Sequence, residues 1–168
     1  MQNAKFLFLL IVSFSSHKIY SQSFTLAKLE KFCVVNVSDI EDSLLKNHFE
    51  FDSFDTSNKK MVYVQGRMDA ARGKGRNFIY IQILDSLTMI TYIVTQKETY
   101  QNIKSELKSR SYEFLGTENN KDQIEYWYKN QKFGLHLSTQ VTSSVENNLV
   151  NVYVIQIMKL PNNFSKRS

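Results

Sequence analysis

The stretch "FEFDSFDTSNKKMVYV", residues 49–64, decides the fold, because 63 residues further on the chain reads "YEFLGTENNKDQIEYW", residues 112–127. Phe49, Glu50 and Phe51 fall on Tyr112, Glu113 and Phe114, and Met61 to Val64 fall on Ile124 to Trp127, with Tyr63 over Tyr126. Upstream, Val37, Ile40 and Leu44 fall on Tyr100, Ile103 and Leu107, and spacings of three and four put each trio on one helical face. A single offset running from a helix to the end of a second strand reads as an internal repeat.

Beyond Val64 the offset changes. Phe78 of "NFIYIQIL" matches Phe133 of "KFGLHLS", 55 residues on, so the first half carries eight extra residues between its second and third strands. "TMITYIVT", residues 88–95, then matches "NVYVIQI", residues 151–157, at an offset of 61, which puts six extra residues of the second half into "STQVTSSVENN", residues 138–148. Each half reads helix, then four short strands rich in Tyr, Ile, Val and Phe, broken by Asp, Asn, Ser and Gly. Asp39 and Thr99 suit helix N-termini, and "TLAKLEKFC", residues 25–33, adds a short helix in front.

The expected fold is α+β: a tandem repeat of helix plus four antiparallel strands, forming one eight-stranded sheet with the helices on one face. The expected units are residues 22–97 and 98–160, followed by a disordered tail at 161–168. This layout resembles the tandem helix-plus-four-strand architecture of the secreted β-lactamase inhibitor proteins. The resemblance is one of layout, with no motif matching residue for residue, so no inhibitory contact carries over.

Residues 1–21 read as a secretory signal peptide. Lys5 precedes the apolar run "FLFLLIV", small polar residues follow, and Ser21 suits a cleavage site. The run is too short for a bilayer span, which needs about 20 residues; the alternative is an uncleaved anchor. Without residues 1–21, 19 basic residues face 16 acidic ones, a charge of +3. That balance is too mild for a nucleic-acid-binding surface. The expected localisation is therefore periplasmic or secreted. Cys33 is the one cysteine, so no disulfide forms within the chain, and it reads as a small buried side chain.

Strand alternation assigns the faces. Ile124, Tyr126, Tyr128, Phe133, Leu135 and Leu137 should face the helices, opposite Glu125, Trp127, Lys129, Gly134, His136 and Ser138. By equivalence, Met61, Tyr63, Phe78 and Tyr80 should face them in the first half. The opposite face would then hold Val62, Val64, Ile79, Ile81 and Ile83, with Trp127 on the same side. A sheet covered on one side should be polar on the other. So either another segment covers this face, or the register is inverted, or the face is a surface for a partner or for self-association.

"RMDAARGKGRN", residues 67–77, occupies the first-half insertion. Its glycines lead into a strand rather than opening a helix, which excludes a P-loop. It reads as a cationic hairpin tip, and the alternative is an anion-contacting loop built on Arg67, Arg72, Lys74 and Arg76. His48 and His136 are too far apart in the repeat for a metal site, and His136 reads as a solvated side chain. Glu50 and Glu113 sit between apolar neighbours and should point to solvent rather than form an acid pair. No catalytic residue, cofactor or metal ligand is expected. The leading expectation is a non-enzymatic exported protein that binds a macromolecule through its sheet face and loops, for example an inhibitor or toxin-immunity protein. A carrier of an apolar or anionic small ligand is the alternative, and an enzyme of unfamiliar type comes third.

Overall fold

In the computed structural model, the residues described are 23–66, 77–85, 87–121, 123–143 and 149–161. The expected signal peptide, residues 1–21, the cationic stretch with Arg67, Arg72, Lys74 and Arg76, and residues 162–168 of the expected tail lie outside them. The order is α1 (Leu26–Phe32), α2 (Val37–Lys46), β1 (Phe49–Asp55), β2 (Lys60–Gln65), β3 (Asn77–Leu84), β4 (Leu87–Val94), α3 (Lys97–Ser109), β5 (Glu113–Asn120), β6 (Gln123–Lys129), β7 (Phe133–Ser143) and β8 (Leu149–Lys159). All eight strands join one open antiparallel sheet in the order β1-β2-β3-β4-β8-β7-β6-β5, so β1 and β5 are its edges. Fold class α+β follows directly.

Local chemistry explains the element ends. Thr25 caps α1, its hydroxyl accepting from the Lys28 N–H at 3.2 Å. After α2, His48 takes φ 61°, and after α3, Ser111 takes φ 56°; these left-handed residues turn the chain from helix into strand. Asp55 closes the β1–β2 turn by accepting from the Ser57 and Asn58 N–H groups at 3.0 and 3.2 Å. Asn130 does the same for β6–β7, its side-chain oxygen accepting from the Lys132 and Phe133 N–H groups at 2.8 Å each. Two boundaries differ from expectation. Thr99 is not the cap of α3: Gln96 is, and Thr99 lies buried in the first turn. Residues 138–143 are not loop, because β7 continues through them, paired with β8 as far as Ser143↔Leu149.

The core lies on one side of the sheet. Leu26, Leu29, Phe32, Ile40, Leu44, Ile103 and Leu107 from the helices pack with Phe49, Tyr63, Ile79, Ile81, Ile90, Tyr92, Leu135, Leu137, Ile155 and Ile157 from the strands. Phe24 is wedged among Phe32, Phe49 and Tyr92, with ring centroids 5.3, 5.5 and 5.7 Å away. Tyr100 of α3 stacks on Tyr153 of β8 at 4.8 Å.

This packing corrects the face assignment of β3. Ile79 and Ile81 are fully buried against the helices, and Ile83 shares their phase although it emerges at 36% exposure beyond the helices. Phe78 and Tyr80, expected inside, lie on the other face. The reason is a slip by an odd number of residues, which inverts every side chain of a strand. Tyr63 pairs with Ile79 and its repeat equivalent Tyr126 pairs with Leu137, so the matching β3 and β7 positions are 58 residues apart rather than 55. Elsewhere alternation holds: Met61 and Tyr63 face the helices, as do Tyr126, Tyr128, Phe133, Leu135 and Leu137. Phe51 and Phe114 share that phase but stand 55% and 58% exposed, because they sit on edge strands beyond the helical cover. Glu50 and Glu113 are exposed, as alternation requires.

The corrected register makes a direct prediction. Ile81→Ala should lower unfolding free energy by about 2–5 kcal/mol, as expected for a buried aliphatic deletion. Val64→Thr, one face away, should cost about 1 kcal/mol or less. Urea unfolding of both variants distinguishes the two registers.

Candidate functional site

The face turned away from the helices is built from two rows of cross-strand neighbours. One row runs Val64, Phe78, Ile93, Val154, Ser138, Glu125. The next runs Val62, Tyr80, Thr91, Gln156, His136, Trp127 and ends at Gly116 on the edge strand β5. Among the described residues, no helix or strand lies over these rows. The face is graded: aliphatic and aromatic over β2 and β3, mixed over β4 and β8 where Ile93 and Val154 lie beside Thr91 and Gln156, then polar over β7 and β6, with Trp127 near the far edge.

Of the residues expected on this face, Val62, Val64 and Trp127 are there, while Ile79, Ile81 and Ile83 are not. The apolar surplus survives because Phe78, Tyr80 and Ile93 replace them. Each of the aliphatic and aromatic members of the rows is half-buried by its neighbours, except Trp127, which is 42% exposed. Lys60 extends over the Tyr80 ring at 4.9 Å. Partial burial and the Asp52 charge both push the Tyr80 hydroxyl above its ordinary pKa.

The polar end is a built cluster, and it corrects the reading of His136 as a solvated side chain. His136 is 15% exposed, with its Nε2 3.1 Å from Glu125 Oε2. The His136 and Trp127 rings stack at 4.0 Å between centroids, with planes 17° apart. The other Glu125 carboxylate oxygen accepts from the Gln123 amide. Ser138, beside Glu125, is 1% exposed, and its Oγ makes no hydrogen bond among the described residues. Alternation had placed Glu125, Trp127, His136 and Ser138 on one face. It could not show that the imidazole would be clamped between an indole and a carboxylate, since that depends on which residues oppose each other across β6 and β7.

On the helix face, the space over the sheet centre is filled by the Phe24, Phe32, Phe49 and Tyr92 rings. A groove of about 450 Å³ between α1 and α2 is lined by Lys28, Lys31, Phe32, Val35, Asp39, Asp42, Ser43 and Lys46. Its lining mixes both charge signs and is not the apolar chamber that a lipophilic cargo would need. Among the described residues, no group of His, Cys, Asp and Glu is placed to hold a metal ion, and no helix is long and apolar enough to cross a membrane.

Cys33 is buried, with its thiol 3.5 Å from the Ile157 carbonyl oxygen. Burial, with the Glu30 charge adding to it, pushes the thiol pKa from 9.0 up to about 12. No protein-family model, curated protein or solved structure matches this chain.

Two outcomes follow from these environments. The raised thiol pKa means that the fold favours the neutral form, so its contribution to stability is intact below pH 9 and is lost as pH rises from 9 towards 12. Alkylation near pH 8 should therefore label Cys33 only after denaturation, and alkaline melts should show declining stability that Cys33→Ala lessens. Ser138→Ala should leave the melting temperature unchanged or slightly higher, since it deletes a buried hydroxyl that has no partner.

Proposed function

We propose that this chain is an exported, non-enzymatic protein that binds another protein through the open face of its sheet. One concrete form is an inhibitor or a toxin-immunity protein. The observation that supports it is the open face itself, where Val62, Val64, Phe78, Tyr80, Ile93 and Val154 form a continuous apolar field. Apolar material with a polar margin and an exposed tryptophan is the composition of a protein interface. The periplasmic or secreted location rests on the apolar N-terminal run.

The tandem-repeat reading belongs to the same proposal. It is supported by the sheet order, in which β1–β4 and β5–β8 meet at β4 and β8. The two left-handed residues, His48 and Ser111, also stand at the 63-residue offset. So do the register shifts between Phe51 and Ser53 and between Phe114 and Gly116. A duplicated unit joined edge to edge would give a sheet broad enough for a partner of ordinary interface size.

The test is affinity capture of an envelope and culture-supernatant extract on residues 22–168. Val62→Lys/Val64→Lys serves as the face variant and Lys46→Glu as a groove variant. A protein retained by the native form and by the groove variant, but lost with the face variant, is the expected result. Trp127→Ala should then weaken that complex by about 2 kcal/mol or more, roughly 30-fold. Loss with the groove variant alone would move the function to the helix side. Retention of the chain by itself alone would make the face a dimer seam.

A further inference from the structure

Trp127 has two ring faces, and His136 occupies one of them at 4.0 Å. The other face turns towards the edge strand β5, where the residue opposite Trp127 is Gly116. A Cβ placed on Gly116 would meet no atom of any residue beyond its two chain neighbours within 4 Å, so the space above Gly116, across from the indole, is open. Among the described residues, no lysine or arginine lies over this ring, although lysines lie over Tyr80, Tyr100 and Tyr126.

The charges around this slot favour a cation. Glu118 stands directly opposite Glu125 across β5 and β6, and like charges opposed in this way repel. Glu125 is committed to His136 and Gln123. Glu118 is exposed and has no ion pair among the described residues. On the other side of Gly116, exposed Glu113 opposes Lys129, which offsets part of its charge. The slot is thus an indole face with a glycine floor and a carboxylate at each end.

We propose that this slot is the seat of an arginine side chain presented by the protein partner of the open face. A guanidinium is planar, stacks on an indole, and can pair in fork geometry with Glu118. Ammonium lacks the stacking plane, and an uncharged amide gains nothing from the carboxylates. The slot continues the row that begins with Val62 and Tyr80, so one partner can cover the apolar field and insert the arginine at its edge. This rests on the proposed binding face, and its test is independent of finding the partner.

Trp127 is the single tryptophan, so its fluorescence reports on this slot alone. Residues 22–168 are titrated with N-acetyl-arginine amide, its citrulline counterpart and its lysine counterpart at matched ionic strength. A saturable emission change with the arginine compound is expected, with a dissociation constant in the millimolar range and at least about tenfold tighter than for citrulline. Glu113→Gln/Glu118→Gln should weaken it several-fold, and added salt should do the same. Gly116→Leu should abolish it while circular dichroism and the melting curve show the native fold. No saturable change, an equal response to citrulline, or an unchanged response in the glutamine double variant overturns the arginine slot. Equal binding of the lysine compound overturns the guanidinium assignment. If the slot fails and the capture experiment succeeds, the open-face reading stands without it; if capture fails and the titration succeeds, the slot stands as a site for free guanidinium compounds.

Discussion

The pairing of β4 with β8 is the constraint on which the rest of the structure depends. Along this seam Ile90 opposes Ile157, Tyr92 opposes Ile155, and Val94 opposes Tyr153, all buried. Each such side chain contributes about 1.5–3 kcal/mol on burial. The partners are some 60 residues apart in the chain, so loop-closure entropy opposes the pairing until the whole row is buried together. Once it forms, β1–β4 and β5–β8 become one sheet, and α1 and α3 have a continuous surface to cover. Cys33 of the turn after α1 reaches this seam at the Ile157 carbonyl.

Charge then ties the helices to one another above the sheet. Glu106 of α3 accepts from the free Leu26 and Ala27 N–H groups at the start of α1, at 3.1 and 3.3 Å. Glu30, buried in α1, accepts from the Arg110 guanidinium and from the Tyr112 hydroxyl at 3.0 Å. Burial and the Glu30 charge push the Tyr112 hydroxyl well above the ordinary tyrosine range, so it stays a donor. A buried carboxylate left without these partners would carry a large desolvation penalty. The network therefore ties α1 to the segment leading into β5, and both helices close over the same side. The opposite face is left to Val62, Val64, Phe78, Tyr80 and their neighbours, which explains how so apolar a surface stays without cover from the described elements.

The errors of the sequence reading fall where local pattern stops carrying information. Strand β3, "NFIYIQIL", is apolar at nearly every position, so alternation gives no phase and the aromatic match of Phe78 to Phe133 prevailed. Tertiary contact resolved it the other way: aliphatic Ile79 and Ile81 fit beneath the helices, and the larger Phe78 and Tyr80 went outside. Strand β7 ran past its expected end because β8 was there to pair with it, although "STQVTSS" reads as loop by composition. His136 was the costlier miss for function, since a lone histidine on a polar phase carries no local sign of its cross-strand neighbours.

By itself, the sequence determined the α+β class, the order of helices and strands, the antiparallel connections and most of the faces, because these follow from short-range periodicity and turn chemistry. It also placed Val62, Val64 and Trp127 on the open face, and it marked Cys33 as a buried side chain. Only the tertiary structure decided the phase of β3, the stacking of Trp127 on His136 against Glu125, the Glu30–Arg110–Tyr112 tie and the open slot over Gly116. Each of these depends on which residues from distant segments oppose one another across the sheet. That register is chosen by collective burial of the core, not by any stretch of chain a few residues long.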